Sequence, residues 1–340
     1  MSILFFCRRF YPQIGGVEKH VLELSKQLLQ RGHQVSVITE SFSGAKQQET
    51  ISGIQVYRIP VRKEGRSKKF YLWSYLLKKR ELIQKADLVH CHDVFFWYLP
   101  FRFLYPEKPV YTTFHGYESY PIKKKAILIR KLSEKLSWGN ICIGDFITKW
   151  YGTKPTFVSY GAVNLANNKR QIAKVKSSSA VFIGRLDEQT GIREYLNAFN
   201  LVKKQIPGFT MLVVGDGKER KLVEKKTNVL GFKKDPERYF APYHFAFVSR
   251  YLSILEAFAA KRLVFALYDN PVKEDYLRLA PFADTIVIAK NAQELAEKVL
   301  YYLKHPEKEK KLISKSFTWV GKQTWENMAE LYLNLWKTHS

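Results

Sequence analysis

Short apolar runs alternate with amphipathic stretches along most of the chain. Residues 2–7 (SILFFC) read as a buried strand, residues 17–30 as a helix, and residues 34–39 and 54–61 as further strands. A helix over about 70–85, a strand over 88–91 and another over 110–114 continue the alternation. Residues 164–179, polar and rich in Lys and Ser, have a linker's composition, and beyond them the pattern restarts. Strands are expected at 180–183, 210–214, 246–248 and 263–267, with helices over 192–205, 254–260 and 292–304. This is the βαβ signature of parallel sheets covered by helices, so the fold class is α/β, with two doubly wound halves joined by one linker. The tail over 310–336, with Trp319, Trp325 and Trp336, reads as helical and aromatic.

Composition sharpens this picture. A chain of 340 residues has room for two domains, each with its own core, and 46% hydrophobic residues exclude a disordered polycation. Fifty-six Lys and Arg against 31 Asp and Glu leave a net charge of +25. Residues 1–170 carry +16 of it and 171–340 carry +9. An excess of this size predicts an anionic partner: a nucleic acid, a phosphorylated small molecule or an anionic membrane. No apolar run reaches the roughly 18 residues needed to span a bilayer. The start, MSILFFCRR, does not read as a signal peptide, and Cys7, Cys91 and Cys142 are too few and too scattered for a disulfide framework, so a cytoplasmic location is expected.

The densest charge lies over 62–85, where nine Lys or Arg and two Glu are interleaved with Phe70, Tyr71, Trp73 and Tyr75. Residues 123–135 add six bases and one acid. Such segments suit an anionic membrane surface or single-stranded nucleic acid, and otherwise form a solvated helix face with an aromatic core side. Nucleic-acid binding has no helix-turn-helix, zinc-finger or ribonucleoprotein motif behind it and is not expected.

Candidate chemistry is concentrated in a few stretches. Gly15 and Gly16 stand between the first strand and the first helix, where glycines let a ligand approach the backbone and the helix N-terminus favours anions. A tight strand-to-helix turn would use them equally well. Gly215-Asp216-Gly217 follows a strand but lacks the third glycine of a dinucleotide fingerprint, since Arg220 stands there. His90-Cys91-His92-Asp93 ends a strand, and alternate residues of a strand supply at most two metal ligands. No Asp-x-Asp occurs, which removes the usual carboxylate clamp for a metal-bound diphosphate, so a phosphate-binding enzyme here would rely on Arg, Lys and helix dipoles.

Taken together, these pieces resemble the glycosyltransferase family 4 (group 1) enzymes of the GT-B fold. The resemblance rests first on Tyr11-Pro12, Gly15-Gly16-Val17-Glu18, Arg31-Gly32-His33, Ala86-Asp87-Leu88-Val89-His90 with His92, and Thr113-Phe114-His115-Gly116. It continues with Gly184-Arg185-Leu186, Gly191-Ile192, Val214-Gly215-Asp216-Gly217, Gly231 and Leu255-Glu256-Ala257-Phe258-Ala259. The resemblance implies two Rossmann-like domains facing a cleft: residues 1–165 for the acceptor and 166–315 for the sugar nucleotide, with a last helix over 316–340 packing back on the first. It also implies a retaining, metal-independent transfer of a hexose from a sugar nucleotide to a lipid-linked or polysaccharide acceptor, with no cofactor. On this reading His115 approaches the donor sugar, Arg185 meets the departing diphosphate and Glu256 meets the ribose. Gly15, Gly16, Gly215, Gly217, Lys218 and Arg250 complete the expected binding set.

Three positions depart from the family pattern. Val248 stands where the first glutamate of Glu-x7-Glu belongs, as if about four residues before Leu252 were missing. Thr190 replaces the lysine that accompanies Arg185, with Arg193 or Lys218 as substitutes, and Lys261 replaces a glycine. These departures give a second reading: a GT-B-shaped binding or scaffold subunit that has lost catalysis.

Overall fold

The structure, a computed structural model, describes residues 1–13, 15–60, 67–165 and 175–337. It divides into two compact units, Met1–Ser159 with Trp325–Ser340, and Tyr160–Thr324. Residues 62–66 of the basic stretch and 166–174 of the linker lie outside the described residues.

The first unit begins β1 (Ser2–Cys7), α1 (Gly16–Gln30), β2 (Gln34–Glu40), β3 (Gln48–Ile51), β4 (Ile54–Ile59), α2 (Ser67–Lys78) and α3 (Arg80–Lys85). It continues β5 (Leu88–His92), α4 (Phe95–Leu104), β6 (Val110–Phe114), α5 (Lys124–Leu136), β7 (Gly139–Ile143), α6 (Phe146–Tyr151) and β8 (Phe157–Ser159). The strands form one sheet in the order β3-β4-β2-β1-β5-β6-β7-β8, parallel except for the β3–β4 hairpin. Strands buried on both faces are largely apolar, which is why SILFFC reads as a continuous run; LVHCH is equally buried but carries His90 and His92.

The second unit runs β9 (Lys176–Ile183), α7 (Ile192–Gln205), β10 (Thr210–Val214), α8 (Arg220–Glu224), β11 (Asn228–Val229) and β12 (Tyr243–Phe247). Then follow α9 (Tyr251–Ala259), β13 (Leu263–Leu267), α10 (Pro271–Arg278), β14 (Val287–Ala289), α11 (Ala292–Lys304) and α12 (Pro306–Val320). Its sheet is parallel, in the order β11-β10-β9-β12-β13-β14. Tyr195, Phe199 and Val202 of α7 and Leu295, Ala296 and Val299 of α11 cover one face of it.

Each sheet has a topological switch point, between β1 and β5 in the first unit and between β9 and β12 in the second. Open α/β sheets bind ligands beyond the carboxyl ends of the strands at such points. The positions to inspect are therefore the residues just past Cys7 and His92, and those just past Ile183 and Phe247.

Two expectations shift, at 70–85 and at the last helix, and one helix is added to the sequence reading. The helix over 70–85 is two helices, because the backbone at Lys79 leaves helical values (φ −105°, ψ 19°). The 94–104 run forms a helix in spite of Pro100, with Trp97, Tyr98 and Phe101 filling the core. The segment that joins the first unit starts at Trp325 rather than 316, as α13 (Trp325–Lys337). Residues 306–320 stay with the second unit because α12 packs on α9, where Trp319 lies 6.5 Å from Phe258 between ring centroids.

The glycines of the 215–217 turn are demanded by the fold. At Gly215 (φ 150°) a Cβ would lie 1.8 Å from the Gly184 carbonyl oxygen, and at Gly217 (φ 157°) 2.4 Å from that of Leu186. Two loops pass backbone against backbone here. Gly215→Ala is expected to destabilise the second unit by about 2 to 3 kcal/mol, the range of strained or overpacked backbone. A urea midpoint equal to wild type would refute this.

Candidate active site

At the switch point of the first sheet lies a group of imidazoles. β5 places His90 and His92 on one face, since alternate residues of a strand point the same way. β6 runs beside β5 with His90 opposite Tyr111 and His92 opposite Thr113, and delivers His115 one residue past its end. α1 lays His20 over the same region, its ring 4.9 Å from His115 and 5.8 Å from His92 between centroids.

Hydrogen bonds order this group. The Trp336 indole N–H donates to His90 Nδ1 (3.1 Å), and His90 Nε2 lies 2.8 Å from Thr113 Oγ1. Thr113 Oγ1 is 2.8 Å from the Tyr332 hydroxyl, which is 2.9 Å from His20 Nε2. An indole can only donate, so a neutral His90 accepts at Nδ1 and donates from Nε2 to Thr113. Thr113 then has its own proton for Tyr332, and Tyr332 has one for His20. A separate bond joins His92 Nδ1 to His115 Nε2 at 2.9 Å.

Burial keeps the rings neutral. It pushes the His20 pKa from 6.5 down to about 3, and it holds His90, His92 and His115 well below the usual imidazole range. One nitrogen each of His20, His92 and His115 falls within 4.8 Å of the others, and His92 Nε2 is buried with no hydrogen-bond partner. Three neutral imidazoles so placed could hold a transition-metal ion. The strand pair contributes one of these three, His92; helix α1 brings His20 and the residue just past β6 brings His115.

The loop after β6 is held from both sides. The Asp93 carboxylate accepts from the His115 N–H (3.0 Å). Arg130 of α5, 6% exposed, donates to the Gly116 carbonyl (2.8 Å), pairs with Glu118 (3.1 Å) and stacks 3.7 Å over the Tyr151 ring. Gly15 caps α1 in ordinary extended geometry (φ −142°), and a Cβ on Gly16 would meet nothing within 4 Å. The fold leaves open space at Gly16, so the tight-turn explanation does not account for that glycine.

In the second unit, the residues past Ile183 and Phe247 are cationic. Arg185 is 60% exposed, 3.4 Å from Asp187 and 3.4 Å from the Gln189 side-chain oxygen. Arg250 caps α9 and donates to the Gln189 carbonyl at 3.3 Å. Glu256 is buried within α9, and Lys218 is exposed beyond the 215–217 turn. Arg193 is committed to a two-pronged pair with Glu219, at 2.9 Å on each arm, and so does not stand in for the absent lysine. The Thr190 hydroxyl turns inward, within 2.8 Å and 2.7 Å of the Arg185 and Asp187 carbonyls. Only residues 248–250 separate β12 from α9, and Val248 is buried in the core.

His20, Tyr332, Trp336 and Arg130 were not among the expected site residues. His20 was readable as a polar residue among the inward positions Val21, Leu24 and Leu28 of α1. Arg130 looked like one more base of the 123–135 stretch, and nothing local marks it as buried.

Two doubly wound α/β units of this topology define a GT-B fold, and comparison with known proteins agrees. The model of Glycosyltransferase Family 4 matches residues 14–153 and that of Glycosyl transferases group 1 matches residues 177–305, so the chain belongs to this glycosyltransferase family. The phosphatidyl-myo-inositol mannosyltransferase of Mycobacterium tuberculosis is 26% identical over 235 residues, 64% of this chain and 61% of that protein. One subunit of the human phosphatidylinositol N-acetylglucosaminyltransferase is 30% identical over 90 residues, 25% of this chain and 19% of that one. The matched stretches thus span from about a fifth to about three fifths of these relatives. Among solved structures, a glycosyltransferase from Rickettsia africae superposes with a TM-score of 0.71 at 17% identity, covering 99% and 98% of the two chains. Anabaena HepE in complex with UDP and glucose superposes with a TM-score of 0.74 at 13% identity, covering 99% and 100%.

Four imidazoles held neutral below their solution pKa have a thermodynamic consequence. As pH falls through 6.5 the unfolded chain takes up protons that the folded rings refuse, so stability is full above pH 6.5 and declines steadily below it. The urea midpoint is expected to drop markedly between pH 7.5 and 5.5, and a pH-independent midpoint would contradict the neutral cluster.

Proposed function

We propose that the protein is a retaining, metal-independent glycosyltransferase that moves a hexose from a sugar nucleotide to a lipid-linked or polysaccharide acceptor in cell-envelope glycan synthesis, at the inner face of the cell membrane. The observation that carries this reading is the ordered family match over both halves, with Arg185 just past β9 at the switch point of its sheet and His115 hydrogen-bonded to His92 at the end of β5. The physical logic is electrostatic. Breaking the bond from the anomeric carbon to phosphate builds negative charge on the diphosphate and an oxocarbenium-like centre on the sugar. Fixed cations on the leaving side, Arg185 and Arg250, lower that barrier. His115, neutral and held by His92, contacts the sugar without adding a repelling charge. In a front-face route the leaving phosphate itself takes the acceptor's hydroxyl proton, so no separate base is required. Glu256 accepts from the ribose. Gly16 leaves room for the sugar or phosphate against the α1 N-terminus.

The membrane part of the proposal is supported by the surface of the first unit. Phe70 (70% exposed), Phe103 (69%) and Leu128 (68%) stand on α2, α4 and α5, beside Lys68, Lys69, Lys78, Lys124, Lys125 and Lys131. Leu72 and Leu76 take the core side of α2, so Phe70 and Tyr71 face outward. No described helix is long and apolar enough to cross a membrane. The relatives' names point to lipid substrates, phosphatidylinositol among them.

A second reading, a binding subunit without turnover, is favoured by the buried apolar Val248 and the three-residue β12–α9 connection. Binding of a nucleotide with no glycosyl transfer in an acceptor screen would select it.

Two measurements test the leading reading. A panel of UDP-, GDP- and ADP-sugars is screened for a rise in melting temperature, and Arg185→Ala is expected to weaken the one that binds by about 1.5 to 3 kcal/mol, the worth of a charged hydrogen bond. Absence of any shift across the panel would end the proposal. Sedimentation with anionic liposomes is expected to pull down wild type, and Leu128→Glu with Phe70→Glu should stay in the supernatant; equal partition of both proteins would remove the membrane surface from it.

A further inference from the structure

The second unit gathers three cations on one residue. Arg185 reaches the Gln189 side-chain oxygen at 3.4 Å and Arg250 reaches the Gln189 carbonyl at 3.3 Å. Lys273, from the first turn of α10, places Nζ 2.9 Å from that same carbonyl. These residues follow β9, β12 and β13, so three strand ends deliver them to one place at the switch point.

Lys273 is the unusual member. It is 1% exposed, and among the described residues it has no carboxylate within 4.0 Å. An ammonium carries three donors, and here one carbonyl meets one of them. A buried cation without a counter-ion is costly, and an anion beside it offsets that cost. The position that the family fills with lysine is occupied by Thr190, whose hydroxyl is turned into its own loop. That loop, residues 185–190, is the one Lys273 supports.

We propose that Lys273 replaces the lysine missing at position 190, forming with Arg185 and Arg250 the cradle that takes the donor's diphosphate. The identity of the anion as a nucleoside diphosphate rests on the glycosyl-transfer reading; the cradle as a diphosphate site does not.

The electrostatics of the cradle agree. Burial, reinforced by Arg250, lowers the Lys273 pKa from 10.5 to about 7, against the opposing pull of Asp269 before α10 and Asp187 on the loop. Above pH 7 the free protein therefore holds a growing fraction of neutral Lys273. An arriving diphosphate restores the charge, so binding takes up a proton and weakens as pH rises.

The probes are inorganic pyrophosphate and UDP, GDP and ADP, titrated calorimetrically at pH 8 in two buffers of different ionisation enthalpy. Wild type is expected to bind with proton uptake that Lys273→Met lacks. That variant should bind at least tenfold more weakly while melting at a higher temperature, because an unpaired buried charge has been removed. A purely structural lysine would give the opposite melting shift. Equal binding by wild type and variant overturns the proposal, as does failure of wild type to bind any of the four probes. If Lys273→Met does not fold, proton uptake by wild type decides: its absence overturns the assignment. Binding of pyrophosphate but of no nucleoside diphosphate upholds the cradle and rejects the sugar-nucleotide reading.

Discussion

Burying three imidazoles, with a fourth half-buried beside them, is the constraint on which the first unit's polar interior depends. Each ring has two nitrogens that must be donor and acceptor in the right order, and a mismatch costs about 1 to 3 kcal/mol per unsatisfied group. The order is imposed from one end by Trp336, whose indole N–H can only donate. Through His90, Thr113 and Tyr332 that single polarity reaches His20 on a different helix. The chain's last helix therefore belongs to the first unit for a chemical reason as well as an apolar one: it supplies both the first donor and the relay hydroxyl.

The two switch points handle charge in opposite ways. In the first unit burial keeps the imidazoles neutral, and the charged groups beside them, Asp93 and Arg130, hold the loop after β6. In the second unit the site is built from cations, and the carboxylates near it, Asp187 and Glu219, serve to hold loops or a neighbouring arginine.

Much of the fold was legible because parallel strands buried on both faces leave an unmistakable apolar run, and the helices between them carry a clear inward face. What escaped was set by long-range context. Arg130 and Lys273 read as ordinary surface bases, since their burial depends on Tyr151 and Gln189, distant in sequence. The His90 and His92 pair was visible, but its company was not, because His20 and His115 come from separate elements. Gly215 and Gly217 were visible too and invited a ligand explanation, whereas the backbone of Gly184 and Leu186 gives the reason they must be glycine.

The charge of +25 far exceeds what the cradle uses, since Arg185, Arg250 and Lys273 account for three of the 56 bases. The first half holds most of the excess, and part of it lies on the helices that also expose Phe70, Phe103 and Leu128. Lysines alone would be explained by any polyanion, and exposed apolar side chains alone by a protein partner. An anionic bilayer asks for both on one face, a cation near the headgroups and an apolar side chain beyond them.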